Sequence, residues 1–297
     1  MKRTRAIATL VVGDYYTKLW RDCCEKNWKQ YADKHGYDVI CLEGALDTSE
    51  RAQQRSPSWQ KCLILSQDFA AQYERVVWLD SDIVINVAAA PDIAEGVPPE
   101  KIGVPDYWEQ PAPHLYRECL RRMYEFWGDS AVVNYDPSQY YKNYGFDRAF
   151  DRVAGNGVMV LSPRHHRELL EHNYRAYEDR GPAWLAEMRP FSYELLKAGC
   201  DHWLDHRFNM NWWELRFLFY PFLLQRPLPS GYTARLRRKL AQWAEGDYFE
   251  RVKRACVNTM FLNGYFLHFG GDTKEDMKLL DPSITSWKQC MLAASQP

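Results

Sequence analysis

Residues 75–85 read Arg75-Val76-Val77-Trp78-Leu79-Asp80-Ser81-Asp82-Ile83-Val84-Ile85. The run of β-branched and aromatic residues before Asp80 predicts a buried strand. Two carboxylates one residue apart then interrupt it, and the chain turns apolar again. Hard oxygen ligands so placed suit a divalent cation, which keeps open positions for phosphate oxygens. The plainer alternative is a surface turn, since Asp also initiates turns.

Working outward, Ile7–Val12 is a short apolar run that stops at Gly13-Asp14, so a strand and then a loop. Tyr16–His35 carries helical spacing and closes at Gly36. Tyr37–Leu42 is a second strand. Ser56-Pro57 opens a helix through Ala71, with Ser as N-cap and Pro at the first helical position. Strands alternating with helices of this length predict βαβ units and a parallel sheet. Ligands of such sheets bind beyond the carboxyl ends of the strands, where Asp80 and Asp82 stand.

Downstream, residues 86–113 read as loop around a strand at Ile102–Val104. Gly157–Leu161 is a strand entered through Gly155-Asn156-Gly157 and stopped by Ser162-Pro163. Helical runs follow at Arg164–Arg180 and Ser192–Ala198, then a mixed turn at Asp201–Trp213. Residues 217–254 pass from strongly apolar (Phe217–Leu224) to basic, with Arg226, Arg235, Arg237, Arg238, Lys239, Arg251, Lys253 and Arg254. This stretch is either a core segment followed by a solvated basic hairpin or a peripheral membrane contact. Tyr265–Phe269 is the last strand and Ser283–Ala293 a closing helix.

Bulk properties exclude some classes. The chain has 297 residues, with 38 basic against 39 acidic, so binding nucleic acid through bulk electrostatics is disfavoured. Its length suits one large α/β domain. The eight cysteines contain no C-x-x-C pair, and a reducing compartment is the simpler inference. Ala6–Val12 is too short to span a bilayer and is followed by no small-residue cleavage site. The expectation is a cytoplasmic protein, peripheral to a membrane if residues 217–254 touch one.

A second signal lies at the far end of the chain, in His268-Phe269-Gly270-Gly271-Asp272-Thr273-Lys274. An imidazole at a strand end can complete a cation's ligand set. The two glycines allow close backbone approach to phosphate, and Lys274 adds charge. A structural histidine in a glycine turn is the alternative. His202 and His206 are four apart but lack a third ligand nearby, so a zinc site there is disfavoured.

Strand–Asp80-Ser81-Asp82 resembles the D-x-D of metal-dependent glycosyltransferases of the GT-A fold. His268-x-x-Gly271-x-x-Lys274 is similar to the H-x-x-G-x-x-K of glycogenin-like members. Ser58-Trp59-Gln60-Lys61 with Val77-Trp78-Leu79-Asp80-Ser81-Asp82 resembles fungal and plant cell-wall galactosyl- and xylosyltransferases. Ala154-Gly155-Asn156-Gly157 resembles the sugar-contacting strand of both groups. The family's Lys is followed by Pro-Trp; here Glu275-Asp276 follow.

The resemblance implies an α/β, Rossmann-like, mostly parallel central sheet flanked by helices in a single domain. Residues 1–105 would form the nucleotide-binding half. Residues 106–275 would form the sugar and acceptor half, with a basic helical insertion near 217–255, and 276–297 a C-terminal helix. Asp80, Asp82 and His268 would hold Mn²⁺ or Mg²⁺. Ala8, Thr9, Val11 and Tyr15 or Tyr16 would meet the nucleoside. Lys61, Ser81, Asn156, Gly157, Gly271 and Lys274 would meet the donor's phosphates and sugar. Glu194 would be the catalytic carboxylate, with Asp201 and Asp205 as competitors. The implied activity is transfer from a nucleotide-diphosphate sugar, a UDP-hexose by preference, to a glycan or lipid-linked acceptor hydroxyl with retention of configuration. The competing functions are a non-catalytic glycan- or partner-binding protein on the same scaffold, a haloacid-dehalogenase-type phosphatase and a sugar nucleotidyltransferase.

Overall fold

The computed structural model describes residues 3–109, 114–118, 121, 137–142, 145–179, 186–223 and 248–295. Nine strands are described: β1 (Arg5–Val11), β2 (Asp38–Glu43), β3 (Arg75–Leu79), β4 (Ile83–Ile85), β5 (Ile102–Pro105), β6 (Val158–Leu161), β7 (Asp201–Leu204), β8 (Met210–Asn211) and β9 (Phe266–His268). Six form the central sheet in the order β2-β1-β3-β6-β5-β7. Neighbours β1–β2, β1–β3 and β5–β7 are parallel. β6 enters antiparallel to both β3 and β5, so the sheet is mixed, mostly parallel, with one reversed strand at its centre.

Side-chain alternation explains why this sheet is buried on both faces. Val77 and Leu79 of β3 point to one apolar cluster with Ile7, Val11, Val158 and Val160. Val76 and Trp78 point to the other, with Ala8, Met159 and Leu161. The second cluster is closed by the helix Pro163–Ala176 and the segment Pro57–Ser66. That segment begins at Ser56 and Pro57 as expected but runs as a 3₁₀ rather than an α-helix. Trp59, Gln60, Lys61, Cys62, Ile64 and Leu65 are all buried there, a distribution that no single α-helical face supplies.

The expected helix over 16–35 runs from Asp14 to His35, interrupted by one π turn at Arg21–Glu25. It ends at Gly36, whose φ of 77° is the left-handed C-cap conformation. The helix also builds the site from behind. The side-chain amide of Asn27 donates to the Ile85 carbonyl and its oxygen accepts from the Ile85 N–H, both at 2.7 Å. Trp28 donates to the Ile83 carbonyl. These bonds satisfy the outer edge of β4, which would otherwise carry unpaired backbone groups.

β4 is the middle term between the two ends of the chain. It pairs antiparallel with β9 so that Ile83 stands opposite His268. β9 also pairs with β8, placing Asn211 beside His268. This small sheet, β4-β9-β8, brings the C-terminal motif to the end of β3. The seven described cysteines are unpaired. Among the described residues no helix is long and apolar enough to cross a membrane. Of the expected basic stretch, residues 224–247, including Arg226, Arg235, Arg237, Arg238 and Lys239, lie outside the described residues.

Candidate active site: a carboxylate–imidazole cluster in a deep cleft

β3 ends at Leu79, and its pairing with β6 carries on one step, with the Asp80 N–H donating to the Gly157 carbonyl at 2.9 Å. Asp80 therefore meets the Gly155-Asn156-Gly157 entry of β6. The Asp82 carbonyl in turn accepts from the Phe269 N–H, which fixes Asp82 against the residue after His268. The side chains converge as a result. His268 Nε2 lies 3.1 Å from Asp82 Oδ1 and 3.9 Å from Asp80 Oδ2. One ligand atom from each of Asp80, Asp82 and His268 falls within 4.8 Å of the other two.

This donor set fits a divalent cation. It offers two carboxylates and an imidazole, and the imidazole is already oriented. His268 Nδ1 lies 2.9 Å from Asn209 Oδ1, so the Nδ1–H donates to the amide and Nε2 faces the carboxylates. Without a cation, burial would lower the His268 pKa, but the Asp82 carboxylate beside it raises it above the ordinary imidazole value. Burial would correspondingly raise Asp82, and His268 and Lys274 hold it below the usual carboxylate value. The two groups share charge where a cation would take over that role.

Cationic groups flank the cluster. Lys61, only 5% exposed, places Nζ 2.8 Å from Asp80 Oδ1 and 3.0 Å from Glu187 Oε1. Burial works against its charge, and Asp80 and Glu187 outweigh burial, so its pKa is raised. Lys274 Nζ lies 4.0 Å from Asp82 Oδ2 and 3.2 Å from the Tyr16 hydroxyl, to which it donates. Gly271 has φ +64°, a backbone conformation that favours glycine.

The cleft around these groups has a volume of about 860 Å³, within the range of small-molecule sites. Lys61, Asp80, Asp82, Asn156, Gly157, His268 and Gly271 all line it. A smaller adjoining recess of about 250 Å³ is lined by Leu10, Val12, Tyr16, Ser56, Ser81 and Lys274. The first strand does reach this recess, but through Leu10, with Val12 just beyond its end. Ala8, Thr9 and Val11 are buried in the sheet, because alternation turns Thr9 and Val11 away and Ala8 sits one step too deep. Tyr16 lines the recess, whereas the Tyr15 hydroxyl donates to Glu275 at 2.5 Å.

The structure does not bring Glu194 or Asp201 to the cleft. Glu194 accepts from the Tyr177 hydroxyl and faces His172 at 3.9 Å. Asp201 opens β7, opposite Ile102, at the end of the parallel β5–β7 pair where those strands begin. Asp205 is bound by Arg207. Among the described residues, the carboxylates that line the cleft besides the D-x-D pair and Asp179 are Glu187 and Glu214. Glu187 Oε1 accepts from Lys61 and from Asn156 Nδ2 at 3.1 Å, while its buried Oε2 has no hydrogen-bond partner among the described residues. Glu214 accepts from the hydroxyls of Tyr107 and Tyr116.

No protein-family model matches the chain, and no curated protein matches it in sequence. Solved structures similar to it over nearly its whole length are glycosyltransferases by description. One is a glycosyltransferase involved in glycosylation of the major capsid of PBCV-1, with 12% identity, 93% of this chain and 99% of that chain covered, and a TM-score of 0.47. Another is the galactosyltransferase LgtC in complex with donor and acceptor sugar analogues, with 11% identity, 97% and 95% covered, and a TM-score of 0.46. A third is mouse xyloside xylosyltransferase 1 in its apo form, with 13% identity, 91% and 98% covered, and a TM-score of 0.41.

Proposed function

We propose that the protein is a divalent-cation-dependent glycosyltransferase that moves a sugar, a hexose by preference, from a nucleotide diphosphate to an acceptor hydroxyl. One observation carries the reading. Asp80, Asp82 and His268, from distant parts of the chain, converge with ligand atoms within 4.8 Å of one another, with Lys61 lining the same cleft and Lys274 the adjoining recess. When bound there, Mn²⁺ or Mg²⁺ would supply charge neutralisation for a departing diphosphate.

The chain's own residues divide the remaining work. Lys274 and the backbone around Gly270-Gly271 offer positive charge and close approach for phosphate oxygens. Lys61 holds Asp80 and Glu187 in place across the cleft. Glu187 keeps one buried oxygen without a partner among the described residues. An oxygen so placed costs free energy unless something donates to it, and sugar hydroxyls are suitable donors. Tyr16, beside Leu10 and Val12, offers a flat face for a base in the smaller recess.

The test is a thermal-shift panel of UDP- and GDP-hexoses with and without Mn²⁺, followed by donor hydrolysis with and without EDTA. A native-state ligand raises the melting temperature by mass action. The reading expects a metal-dependent shift for at least one donor and EDTA-sensitive release of nucleoside diphosphate. Metal-dependent binding with no turnover would make the chain a sugar-nucleotide-binding protein instead. No shift with any donor overturns both.

A further inference from the structure

Glu214 is 3% exposed and lines the cleft. Among the described residues its two oxygens accept from the Tyr107 and Tyr116 hydroxyls. Burial raises its pKa, and the two phenols together with the charge of His268 offset only part of that. A buried carboxylate held in this way is costly. A carboxylate accepts about four hydrogen bonds, so two phenols leave it acceptor capacity.

The neighbouring residue adds a second, independent feature. Trp213 is half-buried, lines the same cleft, and lies against the glycine turn, its Cδ1 only 3.3 Å from where a Gly271 side chain would begin. Asn211 caps the helix Trp212–Phe219, its Oδ1 accepting from the Trp213 N–H at 3.1 Å, and it too lines the cleft. The indole is therefore fixed beside the turn that the transferase reading assigns to the donor phosphates. An acceptor has to approach the donor sugar within this same enclosure.

We propose that Trp213, Glu214 and Tyr107 form the acceptor subsite, and that the acceptor is a saccharide whose ring face lies on the indole while one hydroxyl donates to Glu214. The residue types select this class. A flat aromatic surface suits the apolar C–H face of a sugar ring, and a carboxylate and an amide suit its hydroxyl edge. One common mode of peptide recognition uses a free strand edge. Beside Tyr107 the backbone is paired beyond the strand ends, by the antiparallel Asp106–Ala154 bridge and by the Tyr107 N–H donating to the Val153 carbonyl at 2.7 Å.

The inference rests on the transferase reading, and the experiment separates the two. Release of nucleoside diphosphate and formation of glycoside product are both followed with the donor chosen by the thermal-shift panel. The acceptors are a set of methyl α- and β-hexopyranosides, common disaccharides, and Ser- and Thr-containing peptides. Wild type is expected to form product with at least one glycoside. In Trp213→Ala and in Glu214→Gln the ratio of transfer to hydrolysis falls roughly tenfold or more, the scale of one aromatic or buried polar contact. Trp213→Phe keeps most of the ratio and controls for folding. An unchanged ratio in Trp213→Ala and Glu214→Gln, or product with peptides alone, overturns the subsite while leaving the transferase intact. Hydrolysis that no glycoside diverts to product also overturns it. Absence of any donor turnover is instead a failure of the transferase reading.

Discussion

The Asn209 side-chain oxygen accepts a hydrogen bond from His268 Nδ1 at 2.9 Å, and this bond decides which imidazole nitrogen faces Asp82. Removing the amide would free the ring to rotate and to exchange tautomers. Outer-shell partners of metal-binding histidines typically contribute 10–100-fold in affinity. Asn209→Ala is therefore expected to weaken Mn²⁺ binding by roughly 10- to 100-fold. Calorimetric titration of Mn²⁺ into the two proteins measures this. Equal affinities would show that the ring needs no such support.

Asp82 and His268 act on one ion in this reading, so their losses should not add. Asp82→Asn and His268→Ala are each expected to lower kcat/KM roughly 10³-fold, about 4 kcal/mol of barrier stabilisation. The double variant should lose little more than either alone, because the shared interaction is already gone. Steady-state kinetics at saturating Mn²⁺ complete the cycle. Near-wild-type, metal-dependent turnover in either single variant sinks the assignment.

The parts of this site that were legible in the sequence are those tied to strand ends. Asp80 and Asp82 follow an apolar run, and His268 ends another, so alternation and punctuation place them. What joins them is the β4–β9 register, which sets Ile83 opposite His268. Strand pairing is a long-range relation that local pattern does not encode. The reversed β6 was hidden for the same reason, since an antiparallel insertion reads like any other apolar strand. The cleft carboxylates were missed differently. Glu187, the N-cap of the helix Met188–Ala198, and Glu194 within it are two helical turns apart, on one face but about 10 Å along the axis. Only the longer-range packing shows that the first meets Lys61 while the second meets Tyr177. Glu214 looks like an ordinary helix glutamate until Tyr107 and Tyr116 are seen to close over it.

Gly157 is small because the site crowds it. A Cβ there would lie 2.8 Å from His268 Cε1, 3.1 Å from His268 Nδ1 and 3.3 Å from Asp80 Oδ2. Gly157→Ala must push the imidazole or the carboxylate out of place. Overpacking of this kind typically costs about 1–3 kcal/mol of stability. The larger expected effect is on cation binding, a loss on the order of tenfold or more as first-placed ligands are displaced. Chemical denaturation and Mn²⁺ titration report the two effects separately. Wild-type cation affinity in a folded Gly157→Ala would show that the gap beside His268 is not needed.

Lys61 holds two carboxylates together in a nearly dry setting. Lys61→Met leaves Asp80 and the buried Glu187 facing each other without their cation. Breaking a buried ion pair from one side typically costs about 3–5 kcal/mol. Asp80 is 24% exposed, so the lower end of that range is expected. Adding Glu187→Gln to Lys61→Met should restore part of the loss, because it removes one uncompensated charge. Urea denaturation of the four proteins in the cycle tests this. A double variant no more stable than Lys61→Met would show that the pair is not coupled.

His166 should give the fold an acid-sensitive limb of its own, away from the cleft. It is 2% exposed, and its Nδ1 accepts from the Ser162 N–H at 2.8 Å, so the ring is held neutral at the start of the helix Pro163–Ala176. Burial lowers its pKa to about 4, with the charges of His165 and Arg75 adding to the shift and Glu100 opposing it. The unfolded chain, with an ordinary histidine pKa of about 6.5, binds this proton more readily than the native state. The native state therefore gains its full advantage above about pH 6.5 and loses it as pH falls toward 4. The difference corresponds to on the order of 3 kcal/mol, all of it given up on the acid side. Carboxylates protonate over the lower part of the same range, so the contribution has to be read as a difference between two proteins. His166→Gln removes the titrating ring, and its stability between pH 7 and 4 should fall less steeply than that of wild type. Denaturant midpoints taken at half-unit pH intervals give both slopes. Parallel curves across that window would mean that His166 is as easily protonated folded as unfolded.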